Sequence, residues 1–280
     1  MRIRLGYDIR FYNSSPVPVI AVLNVHPSRR QDLREPDILR TDPFLPADEY
    51  TDSFGNACTR FLAPPGDLRL YNSFLIEDSG EPDPVCSGAT QASVDQLPHE
   101  ALRFLLASRY CETDLLANTA FRLFGQTPPG WARVQAICDW VNNHITFGYS
   151  FARSSKSAVE VLAERKGVCR DFQHLAIAFC RCMNIPARYA TGYLGDIGVP
   201  PADSPMDFSA WFEAFLDGRW WTFDARHNMP RIGRVLMATG RDAADVAITT
   251  SFGGTTLTQF TIVTDEVRTP EPVGVAVAAG

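Results

Sequence analysis

The chain has 280 residues, of which 45% are hydrophobic and 21% are charged. This composition is typical of a folded globular protein, and it excludes a disordered, a fibrous and a membrane-embedded chain. The net charge of -6, without any run of Lys or Arg, predicts that the protein has no nucleic-acid partner.

The first residues, MRIRLGYDIRF, alternate charged and apolar positions and lack the continuous apolar segment of a signal peptide. The longest apolar stretch, residues 17–23, contains a proline and is too short to span a bilayer. We therefore expect a cytoplasmic protein with no membrane partner. The oligomeric state stays open.

Seven cysteines occur at irregular spacing, and their odd number argues against a disulfide framework. Cys180 and Cys182 resemble a metal pair at first sight. Two residues apart on a helix, however, they lie on nearly opposite faces, so both are expected to be core residues. The sequence predicts no metal site.

Short strands are predicted for the first part of the chain. Ile3, Leu5, Tyr7, Ile9 and Phe11 alternate with polar residues, which is the pattern of a half-buried strand. Residues 19–25 form a second β-rich run, and proline clusters interrupt the region up to residue 84. We expect a β-sandwich-like N-terminal domain over residues 1–90.

Beyond residue 97 the apolar residues change to helical spacing. Helices are predicted near residues 102–106, over 115–124 and after the Pro128-Pro129-Gly130 turn. Ser157 and Glu160 form a capping-box pattern, which predicts a short helix ending near residue 165. These elements predict a second domain over residues 91–268, followed by a C-terminal tail at 269–280.

The next predicted helix begins at Cys169 and ends before Pro186, with one apolar face. A strand is predicted over residues 187–194. The strands 208–216 and 219–224 are joined by Asp217-Gly218, which is a strong hairpin signal.

Cys169 lies in the first turn of its helix, where free backbone N–H groups and the helix dipole favour a thiolate. Gly167 permits a tight entry to the helix. A cysteine on an apolar helix face is more often a core residue. The helix-start position instead favours a nucleophile.

The predicted hairpin provides a place for a base and a carboxylate. A two-residue turn pairs Leu216 with Arg219, so Trp211 lies opposite Asp224, and Ser209 shares their face of the sheet. A histidine at position 209 would complete a cysteine–histidine–aspartate triad. The residue there is serine.

The segments GVCRDFQHLAIAFCRCMNIPARYATGYL and DFSAWFEAFLDGRWWTFDARHN resemble the core of the bacterial transglutaminase-like, cysteine-protease superfamily. The resemblance covers roughly residues 97–250. It implies an α+β, papain-like core in which a helix-start cysteine packs on an antiparallel sheet. The family's cysteine, histidine and aspartate fall on Cys169, Ser209 and Asp224.

The resemblance further implies amide chemistry through an acyl-thiol at Cys169, without a metal or other cofactor. The predicted function is hydrolysis of peptide or isopeptide bonds in a peptide or protein substrate, with amide transfer as the related reaction. Because Ser209 replaces the histidine, a non-catalytic peptide- or protein-binding module is the alternative.

His227 is the remaining candidate for the base, because it follows Asp224 by three residues. If the strand continued regularly, residue 227 would point to the opposite face, and only a bulge or a sharp turn would bring it back. Arg170 is a candidate for orienting the substrate, and Trp211 is a candidate for lining the cleft.

Overall fold

The computed structural model describes residues 1–202 and 205–267. The predicted tail, 269–280, lies outside the described residues.

The first third of the chain forms strands, as the alternating pattern predicted. In chain order they are β1 (Arg2–Asn13), β2 (Val17–Ala21), β3 (Arg40–Asp42), β4 (Asp48–Thr51), β5 (Ala57–Ala63) and β6 (Gly66–Glu77).

Five α-helices and two short strands follow in the described part of the chain. In chain order these elements are α1 (His99–Leu102), α2 (Thr113–Phe124), α3 (Trp131–His144), β7 (Thr146–Phe147), α4 (Ala158–Glu164), β8 (Lys166–Gly167) and α5 (Cys169–Cys182). The last part of the described chain returns to strands. They are β9 (Ala187–Tyr193), β10 (Ser209–Leu216), β11 (Arg219–Phe223), β12 (Val235–Gly240), β13 (Thr249–Ser251) and β14 (Thr255–Val267).

Two four-stranded antiparallel sheets, ordered β14-β1-β6-β3 and β13-β2-β5-β4, form the β-rich part. Their apolar side chains share one buried cluster. The fold class is therefore the predicted α+β arrangement.

The last two described strands, β13 and β14, complete this β-rich part. β14 pairs with β1 from Arg2↔Val267 to Asn13↔Thr255, and β13 pairs with β2. The predicted second domain, 91–268, includes these strands, whereas they pair with strands of the N-terminal sheets. The division at residue 90 stays a prediction.

A third antiparallel sheet, ordered β11-β10-β9-β12, supports the helices. α5 packs against β9 and β10 and also contacts α2, α3 and α4. Every residue from Asp171 to Cys182 is buried, so α5 is covered on all sides rather than on one predicted face. Its polar residues are accommodated by hydrogen bonds, for example from Arg181 to the carbonyl of Ala187.

The end of α5 follows the usual rule for helix termination. Asn184 adopts a left-handed backbone with φ of 60°, a conformation in which asparagine is tolerated better than most residues. Pro186 follows and cannot continue a helix. The chain therefore turns directly from the end of α5 into β9.

Gly192 in β9 permits a close approach of β12. A Cβ at this position would lie 2.1 Å from the carbonyl oxygen of Val235 and 3.0 Å from the Trp211 ring. Gly192→Ala should therefore destabilise the protein by roughly 1–3 kcal/mol, because neither the backbone nor the buried ring can move freely. Urea unfolding measures this change.

Gly88→Ala is the matched control, because a Cβ there meets nothing within 4 Å. Equal unfolding midpoints for the two variants would contradict this account of the β9–β12 contact.

Candidate active site

The start of α5 fixes the position of Cys169. The Asp171 carboxylate accepts a hydrogen bond from the Val168 N–H at 3.0 Å and ion-pairs with Arg170. A Cβ at Gly167 would lie 2.6 Å from that carboxylate, so only glycine permits this entry to the helix. Contacts of the residues just before and just after Cys169 therefore fix the first turn of α5.

The thiol of Cys169 is less acidic than its place in the helix predicted. Burial raises the pKa of the Cys169 thiol to about 11, although the Arg226 guanidinium acts in the opposite direction. The nearby Asp207 carboxylate raises this pKa further. The prediction of an acidified thiol is wrong for this state of the protein, because desolvation outweighs the helix-start effect.

Asp224 follows directly after β11 and is almost fully buried, at 5% exposure. Its Oδ1 accepts hydrogen bonds from Gln173 Nε2 at 3.0 Å and from the backbone N–H groups of Arg226 and His227. Its Oδ2 accepts from Arg234 Nη2 at 2.9 Å and lies 2.8 Å from His227 Nδ1. The carboxylate thus has partners on both oxygens.

A sharp turn brings His227 to Asp224. The strand ends at Phe223, and the Asp224 side chain accepts the N–H groups of the two residues that make the turn. The imidazole therefore folds back onto the carboxylate instead of pointing to the opposite face of the sheet. Of the two predicted possibilities, the turn is the one found.

The ionisation of Asp224 determines which nitrogen of His227 carries a proton. Burial alone would raise the pKa of the Asp224 carboxyl, but the Arg234 guanidinium and the hydrogen bonds from His227 hold that pKa well below its ordinary value. An ionised carboxylate can only accept, so His227 Nδ1 must donate. In the neutral ring, Nε2 then has a free lone pair.

Cys169 lies between two cavities. The inner cavity, of about 80 Å³, is lined by Cys169, Ser209, Arg226, His227 and neighbouring residues. The outer groove, of about 580 Å³, is lined by Cys169, Arg170 and Ser209 together with Phe260 of β14 and residues of the segment after β12. The fold therefore brings the predicted nucleophile, the serine and the remaining histidine candidate to one cavity.

Ser209 is 7% exposed, and its Oγ has no hydrogen-bond partner among the described residues. The predicted register of the hairpin is confirmed, since Leu216 pairs with Arg219 and Phe212 with Phe223. Continued by one residue, this register places Trp211 opposite Asp224. Ser209 thus occupies the position that the hairpin geometry predicted.

Trp211 does not line the cleft. It is 2% exposed and is not part of the described walls of the inner cavity or the outer groove. The Arg234 guanidinium lies 5.1 Å from the centre of its ring. The prediction for Trp211 was wrong because a shared sheet face does not determine whether that face meets solvent.

Arg170 lines the outer groove, but its guanidinium is already engaged. It contacts the Asp171 carboxylate and the backbone carbonyls of Arg153 and Ser154. Its observed contacts therefore brace the loop before α4.

Two functional candidates were missed in the sequence. Gln173 follows Cys169 by four residues, and helical spacing would have placed both on one face. Its side chain binds the Asp224 carboxylate and the Ala225 N–H. Arg234 gave no signal, because a single arginine in a loop is ordinarily solvent-exposed.

His174 is fully buried. Its ring stacks on Tyr110, and Nε2 accepts the Ala243 N–H. Within residues 1–202 and 205–267, no group of three or more His, Cys, Asp or Glu could hold a metal ion. No helix in these ranges is long and apolar enough to cross a membrane.

Residues 117–225 match the family described as the transglutaminase-like superfamily. A candidate cysteine protease from Cytophaga hutchinsonii has a similar crystal structure, with a TM-score of 0.83 and 31% sequence identity over 96% of this chain and 91% of that chain. The chain belongs to the transglutaminase-like superfamily.

Two mycobacterial proteins resemble this chain at lower identity. An uncharacterised Mycobacterium leprae protein is 25% identical over 78% of this chain and 81% of its own length. An uncharacterised Mycobacterium tuberculosis protein is 28% identical over 74% of this chain and 73% of its own length.

The buried Asp224 predicts a pH-dependent stability. Because its folded-state pKa is lowered, the ionised carboxylate stabilises the fold at every pH above the unfolded value of about 4, and this contribution is lost as pH falls further. Asp224→Asn should cost about 3 kcal/mol at pH 7. Urea midpoints of the two proteins should differ constantly from pH 8 to 5 and converge below about pH 4.

Asp48→Asn is the control, because the Asp48–Arg60 pair is exposed, and it should change stability by less than about 0.5 kcal/mol. A difference between wild type and Asp224→Asn that stays constant or widens toward pH 3 would contradict the assigned ionisation.

Proposed function

We propose that the protein is a cysteine hydrolase that cleaves peptide or isopeptide amide bonds through an acyl-thiol at Cys169. In this proposal His227 is the general base, although the family's histidine position holds Ser209. One observation carries the proposal. The His227 imidazole is bonded to the buried Asp224 carboxylate and lines the same cavity as Cys169.

The proposed reaction proceeds in two stages. His227 Nε2 takes the proton of the Cys169 thiol as the sulfur attacks the amide carbonyl carbon. The tetrahedral intermediate collapses, the C–N bond breaks, and the imidazolium gives its proton to the leaving amine. Water, activated by the same imidazole, then hydrolyses the thioester and restores the thiol.

The electrostatics of the site suit this order of events. Because burial raises the pKa of the thiol to about 11, the resting site holds a neutral thiol rather than a thiolate–imidazolium pair. Proton transfer must then accompany the attack. The ionised Asp224 stabilises the imidazolium that forms.

A peptide or protein substrate fits the outer groove. This groove is open, its volume is several times that of the inner cavity, and apolar residues such as Phe208 and Phe260 line it. The similarity to a candidate cysteine protease supports hydrolysis over amide transfer.

A non-catalytic binding protein is the second candidate. The raised pKa of the Cys169 thiol and the serine at position 209 favour it, because a neutral thiol without a base does not attack amides. The hydrogen bond between His227 and Asp224 favours the hydrolase. We propose a cytoplasmic location, where its seven free cysteines would stay reduced.

The hydrolase proposal predicts rapid acylation of Cys169. With p-nitrophenyl acetate, mass spectrometry should detect an acetyl group on Cys169 well before one on Cys86, another partly exposed cysteine. His227→Ala should slow acetylation by about 10²–10⁴-fold. His144→Ala is the control, because its ring stacks on Trp140 at the end of α3. If Cys169 reacts no faster than Cys86, the protein is the binding module instead.

A second variant tests whether the base can act from position 209 as well as from His227. Ser209→His alone should bring no gain, because the Asp224 carboxylate already binds Gln173, His227 and Arg234. In the His227→Ala background, Ser209→His should restore part of the acetylation rate. Full activity of the His227→Ala variant would exclude His227 as the base.

A further inference from the structure

A row of alternating charges extends inward from His227. His227 Nδ1 lies 2.8 Å from Asp224 Oδ2, Arg234 Nη2 lies 2.9 Å from the same oxygen, and Arg234 Nε lies 2.7 Å from Asp83 Oδ2. The Arg234 and Asp224 side chains are 6% and 2% exposed, and that of Asp83 is 14% exposed. The three inner groups are thus largely removed from solvent screening.

Arg234 and His227 compete for one carboxylate oxygen. An Asp224 carboxylate that is paired only with Arg234 would already be neutralised, and it would stabilise a second cation, the His227 imidazolium, only weakly. Asp83 changes this balance, because its negative charge offsets Arg234 from the far side.

Asp83 comes from the end of the β-rich N-terminal region, far from the site in sequence. Its backbone N–H donates to the Arg231 carbonyl, and its carboxylate accepts the Arg231 N–H at 2.9 Å. Pro82 pairs with Ile232 in an isolated β-bridge. This segment is therefore docked against the chain between His227 and β12.

We propose that Asp83 and Arg234 are positioning residues that set the basicity of His227 through Asp224. The inference rests on the proposed role of His227 as the base. Asp83 acts at a distance by keeping the Asp224 charge available to the imidazole. The N-terminal region thereby contributes to the chemistry of the site and not only to the fold.

Other titratable and charged groups line the same cavity as His227. Besides Asp224, the titratable and charged residues that line the inner cavity with His227 are Tyr149, Cys169, Asp196, Asp207, Arg226 and Arg231. Their effects are shared by every variant that leaves them in place. Changes within the Asp83–Arg234 pair can therefore be compared directly with wild type.

Removing the charge of Asp83 and removing that of Arg234 should shift the midpoint of the His227 titration in opposite directions. Asp83→Asn should lower the midpoint of the His227 titration, because Arg234 then neutralises Asp224 more completely. Arg234→Gln should raise this midpoint, because the Asp224 charge is then left to the imidazole. The measurement is NMR titration of the full-length protein with ¹³Cε1-labelled histidine, with the His227 signal assigned by its loss in His227→Gln.

Asp78→Asn is the matched control. Asp78 is also a mostly buried acid of the same segment, but its partner is Arg29, and the His227 midpoint should not move. If Arg234→Gln alone does not fold, Asp83→Asn/Arg234→Gln removes both charges, and its midpoint should lie above that of Asp83→Asn.

An unchanged or raised midpoint in a folded Asp83→Asn protein would overturn the inference, because a merely structural role predicts lower stability without a titration shift. The proposed hydrolase fails separately, if Cys169 is not acylated, whatever the His227 midpoint is.

Discussion

The Asp224 carboxylate lies buried between α5, the turn after β11 and Arg234, and both of its oxygens are hydrogen-bonded. An ionised group so far from water is tolerated only with such partners. The same bonds connect the central helix, the third sheet and the segment before β12. The placement of His227, the geometry of the turn and the charge row to Asp83 all depend on this one ion.

The sequence predicted the local elements of the site well because each has a local cause. The start of α5 at Cys169 and its end before Pro186 follow from apolar spacing and proline chemistry. The β10–β11 register follows from the two-residue turn at Asp217-Gly218. Both features were predicted without knowledge of distant contacts.

The remaining features depend on contacts between distant parts of the chain. β14 is largely exposed and polar, and its pairing with β1 joins opposite ends of the described chain. Arg234 contacts both Asp224 and Asp83, and Asp83 lies 151 residues earlier in the chain. The turn that places His227 depends on the Asp224 side chain capturing two backbone N–H groups, and a regular strand pattern does not reveal this.

In the proposed mechanism Ser209 stands at the family's histidine position, and His227 offers a physical route around that replacement. The carboxylate of Asp224 stays in place, while the imidazole reaches it from the end of β11 instead of from the start of β10. Because the two approaches converge on one carboxylate, the proposed mechanism keeps Cys169 as the nucleophile and a histidine–aspartate hydrogen bond, with the base at a different position.

The tautomer of His227 tests this account most directly. Long-range ¹H–¹⁵N NMR at a pH where the ring is neutral distinguishes the protonated from the unprotonated ring nitrogen. The account predicts a proton on Nδ1, bonded to Asp224, and an unprotonated Nε2 available to the Cys169 thiol. A ring protonated on Nε2 would contradict it, because that nitrogen could not then accept the thiol proton.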